Sequence, residues 1–179
     1  MTDVGSVYGE ALYDLARDEK ISADILAQLN VLEDSFRQEP DFVKLLSTPS
    51  LSKQERCQIL QDAFGSMAHP YVLNFMKLLT EKGYARHFSD CCESYREHYN
   101  EDNGILVVKA ITAVPLSPAQ EEKLSQKLAR ITGKTIQLRN KVDSAVMGGV
   151  QLDLGNKRLD DTVAHRLDAI RNLLKDTTI

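Results

Sequence analysis

At Gly104 the hydrophobic period of the chain changes, and that change constrains the fold more than any other feature. Upstream of the stretch Asn-Glu-Asp-Asn-Gly-Ile-Leu-Val-Val (residues 100–108) apolar residues recur every three or four positions, as amphipathic helices require. Downstream come β-branched runs and two-residue alternation. A helical body and a small mixed body therefore share one chain. The break divides the 179 residues into 1–103 and 104–179. Each part is long enough to bury a core, and the second is short enough to lean on a neighbour or a partner.

The division is also one of charge. Residues 1–103 carry 18 acidic and 10 basic side chains, and residues 104–179 carry 8 and 12, so the halves stand at −8 and +4. An acidic first half repels phosphate backbones and suits basic or apolar protein partners; the excess in the second half suits an acidic helix as well as RNA. Cys57, Cys91 and Cys92 lie within helical patterns, and the adjacent pair is geometrically unsuited to a mutual disulfide, which favours a reducing compartment. The start, Met1-Thr2-Asp3-Val4, has no basic region followed by an apolar core. No apolar run approaches the roughly 20 residues that span a bilayer, so a soluble chain without direct membrane insertion is expected.

In the first half, Val4, Val7, Tyr8, Ala11, Leu12, Leu15 and Ala16 follow a 3,1 spacing that predicts a strongly amphipathic helix. A second helix runs through Ile21, Ile25, Leu29, Leu32 and Phe36 until Pro40 breaks its ladder. Phe42 to Leu46 reads as one or two turns. Ser52 with Glu55 forms a capping box opening a helix through Ile59, Leu60, Ala63 and Phe64, with Gly65 as a left-handed stop. The next helix, from about Pro70 to Gly83, carries Val72, Phe75, Met76, Leu78 and Leu79. So wide an apolar sector means a central position or a face offered to a partner. Phe88, Cys91, Cys92, Tyr95 and Tyr99 mark the last helix of a bundle of five or six.

In the second half, residues 105–111 read as a strand. Ser117-Pro118-Ala119-Gln120 caps a helix through Leu124, Leu128 and Ile131 that stops at Gly133. Ile136, Leu138 and Val142 predict a strand; Val150, Leu152 and Leu154 predict another, half-buried by alternation with Gln151 and Asp153. Gly155-Asn156 is placed as a hairpin turn into Lys157 to Leu159, and a terminal helix follows through Val163, Leu167, Ile170 and Leu174, capped by Asp160, Asp161 or Thr162. The fold class is α+β.

No catalytic constellation emerges. Gly133-Lys134-Thr135 resembles the tail of a phosphate-binding loop, yet Leu128 stands where the motif needs glycine, and the order is helix then strand rather than the reverse; a helix stop is the better reading. His87 and Cys91 are one turn apart, but His98 lies about 10 Å further along the axis than Cys91, too far for one tetrahedral metal site. Two core cysteines and two surface histidines are expected instead. Asp160-Asp161 is read as helix capping rather than acid-base chemistry. The paired Gly148-Gly149 before a strand permits a bulge or a close backbone approach.

Taken in order, several segments resemble the delta subunit of the F-type ATP synthase, the family of the mitochondrial oligomycin-sensitivity-conferring protein. They are Tyr8-Gly9-Glu10-Ala11-Leu12, Leu78-Leu79-Thr80-Glu81-Lys82-Gly83-Tyr84, and Val107 to Leu116 with its Ala113-Val114-Pro115-Leu116. The series closes with Val142-Asp143-Ser144-Ala145-Val146-Met147-Gly148-Gly149-Val150 and Asp161-Thr162-Val163. The resemblance covers essentially the whole chain. Met147 departs from the isoleucine usual in the family, and Asp153-Leu154-Gly155 from a commoner Ile-Gly-Asp.

The resemblance implies a non-catalytic stator subunit, without cofactor or metal, present once per complex on the cytoplasmic face of the cell membrane. Residues 1–103 would form a six-helix bundle that takes the N-terminal helix of an alpha subunit between its first and fifth helices. Residues 104–179 would form a small α+β domain meeting the peripheral-stalk b subunits. Carried onto this sequence, the groove walls are Tyr8, Ala11 and Leu12 opposite Leu78 and Leu79, positions that would equally suit an ordinary core. The rival reading is a helical adaptor bearing a nucleic-acid-associated α+β module, and an enzyme ranks below both.

Overall fold

The computed structural model describes residues 3–48, 50–144, 146, 148–154 and 158–160, the last three by their backbone only. The chain forms two compact units, Met1–Tyr99 and Asn100–Ile179. Among the described residues the helices of the first unit are α1 (Asp3–Asp18), α2 (Ser22–Gln38), α3 (Pro40–Ser47), α4 (Lys53–Phe64), α5 (Pro70–Glu81) and α6 (Phe88–Asp102). A short 3-10 turn, Ala85–His87, leads into α6, which runs on through the division between the units.

Local chemistry explains most boundaries. Pro40 both ends α2 and supplies the first turn of α3. The Ser52–Glu55 box forms in full: the Glu55 amide donates to Ser52 Oγ at 3.2 Å and the Ser52 amide to Glu55 Oε2 at 2.8 Å. Gly83 adopts φ +78° just past α5, the left-handed region where a Cβ is penalised. Gly65 does not behave as expected. Its φ of −61° is right-handed, because the chain winds on, with the Met67 and Ala68 amides donating to the Phe64 carbonyl at 3.0 and 2.8 Å.

Tyr95 stands at the centre of the first core. It is fully buried, its hydroxyl donates to the Ser22 carbonyl at 2.9 Å, and its ring meets that of Tyr13 edge-on at 5.3 Å. Ile25, Leu29, Leu60, Val72 and Leu79 are fully buried in the same core, each contributing about 1.5–3 kcal/mol of burial. A polar clamp ties α2 to α6. Arg96 donates to Asn30 Oδ1 at 2.7 Å and Glu33 Oε2 at 2.8 Å, and Ser89 Oγ donates to Glu33 Oε1 at 2.6 Å.

In the second unit β1 (Ile105–Thr112), α7 (Pro118–Thr132), β2 (Thr135–Val142), β3 (Val150–Asp153) and β4 (Arg158–Asp160) make a mixed sheet of order β2-β1-β3-β4. β1 and β2 are parallel, joined through α7; β3 is antiparallel to β1 and to β4. Val108, Ala110 and Leu152 project from one face and pack with Leu128 of α7 into the second core. Gln120 Oε1 accepts from the Ser117 amide at 2.9 Å, so the glutamine half of that cap forms. Gly133 ends α7 with φ +69°.

Asn140 joins three elements. Its amide donates to the Ala110 carbonyl at 3.1 Å and Thr112 Oγ1 at 2.9 Å, while its Oδ1 accepts from the Leu116 amide at 3.1 Å. Gln151, expected on an open face of β3, is buried instead. Simple alternation fails because both faces of the strand are covered at that point. Gly148 and Gly149 take φ of +152° and +88° before β3, a path that β-carbons oppose. Asp160 is the last residue of β4; the expected capping of a following helix by Asp160, Asp161 or Thr162 lies outside the described residues. The Gly155-Asn156 turn and the terminal helix from Thr162 fall outside the described residues.

Candidate helix-docking site

At about 100° per residue, Leu12, Tyr8, Leu15, Val4, Ala11 and Val7 follow one another around α1 as a continuous apolar flank. The opposite flank carries Ser6, Glu10, Asp14 and Arg17, the last two paired at 2.9 Å. Burial stops partway across the apolar flank: Leu12 is 5% exposed and Tyr8 half-buried, whereas Leu15 is 43% and Val7 63% exposed. Ala11 is exposed between them. The folded unit thus covers one edge of this stripe and leaves the other open.

α5 repeats the division over two adjacent residues. Leu79 is 1% exposed and packs in the core, while Leu78, about 100° away around the helix, is 40% exposed. Tyr84 connects the two helices. Its amide donates to the Leu79 carbonyl at 2.7 Å at the end of α5, and its ring packs edge-on to that of Tyr8.

Of the five residues expected to wall a groove, Tyr8, Ala11 and Leu78 reach the surface. Leu12 and Leu79 do not; both are buried core residues. The physical reason is depth. Both lie in the core of the first unit, where neighbouring helices seal them. Val7 and Leu15 extend the exposed stripe and belonged to the amphipathic pattern from the outset.

Spacing of small residues on the back of α1 is what sequence reasoning missed. A β-carbon at Gly5 would lie 2.5 Å from Asp90 Cβ. One at Gly9 would lie 2.5 Å from the Cys91 carbonyl oxygen and 2.6 Å from Ser94 Cβ. The G-x-x-x-G spacing that lets two helix backbones touch was legible as Gly5 and Gly9. Ser94 Oγ adds a bond to the Ser6 carbonyl at 3.2 Å.

Among the described residues no group of three His, Cys, Asp or Glu side chains is placed to hold a metal, and no buried side-chain nitrogen or oxygen lacks a hydrogen-bond partner. Burial pushes the Cys91 thiol up to about 12, with the Asp90 charge adding to it, and burial likewise raises Cys92 well above the ordinary thiol value. Both are therefore protonated, unreactive core side chains. His87 and His98 are half-buried rather than surface residues: His87 Nδ1 lies 3.4 Å from an Asp90 carboxylate oxygen, and His98 Nδ1 lies 2.9 Å from the Ser94 carbonyl oxygen. Gly133 acts as a helix stop, its amide donating to Ala129 at 2.8 Å, and Lys134 beside it is exposed.

Comparison with known proteins completes the description. Residues 4–174 match the family described as ATP synthase delta (OSCP) subunit. ATP synthase subunit delta of Clostridioides difficile is 29% identical over 174 residues, covering 97% of this chain and 96% of the relative. That of Alkaliphilus oremlandii is 30% identical over 171 residues, covering 96% and 95%. A chain in the Toxoplasma gondii mitochondrial ATP synthase hexamer, solved by cryo-electron microscopy, shares the fold with a TM-score of 0.76 at 20% identity, over 97% of this chain and 98% of that one.

Proposed function

The chain belongs to the ATP synthase delta (OSCP) subunit family, and from that premise we propose how its surfaces serve the assembly. It is a non-catalytic stator subunit of the F-type ATP synthase, linking the catalytic head to the peripheral stalk and so coupling ATP synthesis to proton transport. It is associated with the membrane through that complex, and no helix among the described residues is long and apolar enough to cross one. The rival nucleic-acid reading has no support.

Residues 1–103 act as a six-helix bundle that takes the N-terminal helix of an alpha subunit, and residues 104–179 meet the b subunits. One copy serves each complex, on the cytoplasmic face of the cell membrane. The observation that carries this reading is the half-open apolar flank of α1. An amphipathic partner helix binds by laying its own apolar face into such a stripe. Tyr8, Ala11 and Leu78 provide the contact, with Val7 and Leu15 extending it, and the small Ala11 admits a partner backbone.

Purified membranes stripped of this subunit and reconstituted with it test the reading. Restored ATP-driven proton pumping with wild-type chain, and its loss with Tyr8→Ala/Leu78→Ala, is the expected result. Full recovery by the double variant rejects the docking stripe. Failure of the wild-type chain to restore pumping rejects the stator role itself.

A further inference from the structure

A second cleft lies between α4 and α5, with a volume of about 650 Å³. The two helices form a hairpin joined by a short turn, and cross-contacts set their register. Lys77 Nζ donates to Gln61 Oε1 at 2.7 Å, and one turn along Cys57 Sγ lies 3.7 Å from Glu81 Oε1. One further turn along α4, and one residue further along α5, stand Lys53 and Lys82, which also line the cleft. From Gln61 to Lys53 the trough runs for about 12 Å at 1.5 Å per residue, with a lysine at one end and two toward the other.

Only some cations of the same unit are paired. Arg17, Arg37, Lys44 and Arg96 each have a carboxylate partner. Among the described residues, Lys53, Lys77 and Lys82 have none, although their unit carries an acidic excess. The cleft's one carboxylate, on Glu81, sits against the Cys57 thiol instead. A concave site with uncompensated charge of one sign concentrates ligands of the other.

We propose that the α4–α5 cleft is a second docking surface, taking an acidic helical segment of a protein partner whose carboxylates are spaced about two turns apart. The linear arrangement selects this occupant. A single phosphate group would call for all three cations converging on one point, whereas Lys77 stands at one end of the trough and Lys53 and Lys82 toward the other, with glutamine side chains also lining it. Carboxylates two turns apart on a helix match that separation. The surface is independent of the α1 stripe, so the two readings stand or fall separately.

Cys57 gives a reporter inside the cleft, because Cys91 and Cys92 are buried and protonated. In the full chain, alkylation of Cys57 is followed by intact mass with an alanine-based helical peptide bearing two glutamates two turns apart. The expected result is at least fivefold slower alkylation, lost in high salt and lost in Lys53→Glu/Lys82→Glu. Lys53→Gln/Lys82→Gln provides the milder variant, with circular dichroism showing that each folds. Equal protection in the charge variants overturns the proposal, as does no protection in wild type. Protection by inorganic polyphosphate or lysine-dependent sedimentation with anionic vesicles, without protection by the peptide, also overturns it, assigning the cleft to phosphate or to lipid.

Discussion

The rings of Tyr8 and Tyr84 meet edge-to-face, centroids 6.0 Å apart and planes at 62°. This contact fixes α1 beside the end of α5, and it places an amphipathic phenol where the closed core gives way to the open stripe. Aromatic pairs of this geometry contribute about 0.5–1.5 kcal/mol beyond their burial.

Tyr8→Ala and Leu78→Ala should each weaken binding of a peptide copying the alpha subunit's N-terminal helix by about tenfold or more, the size of an ordinary anchor residue. Leu79→Ala should act on the fold instead. Removing a sealed side chain costs about 2–5 kcal/mol of unfolding free energy, with peptide affinity little changed while the protein stays folded. Titration calorimetry and urea unfolding of the same three variants separate the roles. Unchanged affinity in both surface variants would remove Tyr8 and Leu78 from the site.

Gly9→Ala should destabilise the first unit by about 1–3 kcal/mol, as overpacking does. The higher helix propensity of alanine, worth about 1 kcal/mol in isolation, is outweighed because the added carbon meets the Cys91 carbonyl, part of a helix backbone. A melting temperature equal to or above wild type would show that α6 yields without cost.

Acid should loosen the α2–α6 clamp. Burial raises the Glu33 pKa, but the hydrogen bonds from Ser89 and Arg96 and the charges of Arg96 and Arg37 outweigh it and leave it lowered. A carboxyl whose pKa is lower folded than unfolded contributes stability above its unfolded value, near the usual carboxylate range. It loses that contribution as pH falls through the folded value. Urea midpoints measured from neutral pH down into that range should fall more for wild type than for Glu33→Gln. Parallel curves would show that the clamp does not titrate.

Asn140→Ala should cost the second unit about 1–3 kcal/mol, since it leaves the partly buried Leu116 amide without its acceptor and removes the donor to the Ala110 carbonyl and Thr112 Oγ1. Hydrogen exchange should rise first at Leu116, where α7 is tethered to β2. Uniform acceleration across the unit would point to a global effect instead.

Periodicity made most helices and strands of the described residues legible, because an apolar stripe must be covered whatever the partner element. The caps at Ser52 and Gly133 were legible for the same reason: their chemistry is complete within a few residues. Depth was not. A helical wheel gives Leu78 and Leu79 their directions, but how far a neighbouring helix reaches around decides that one is open and the other sealed. Glu33 and Arg96 are 63 residues apart, and nothing local to either announces their pairing. Gln151 misled because strand alternation describes a single open face, and Gly65 because a glycine after a helix is permitted, not compelled, to reverse the chain.

With glycine at positions 5 and 9, the backbone of α1 lies directly against Asp90, Cys91 and Ser94 of α6, with no side chain of its own between them. Side-chain layers can deform by changing rotamer; a backbone-to-backbone seam has little such give. On the docking proposed above, torque drawn on the outer flank of α1 would pass into α6 with small displacement, and the elastic compliance of the stator would have a determinant in two absent methyl groups.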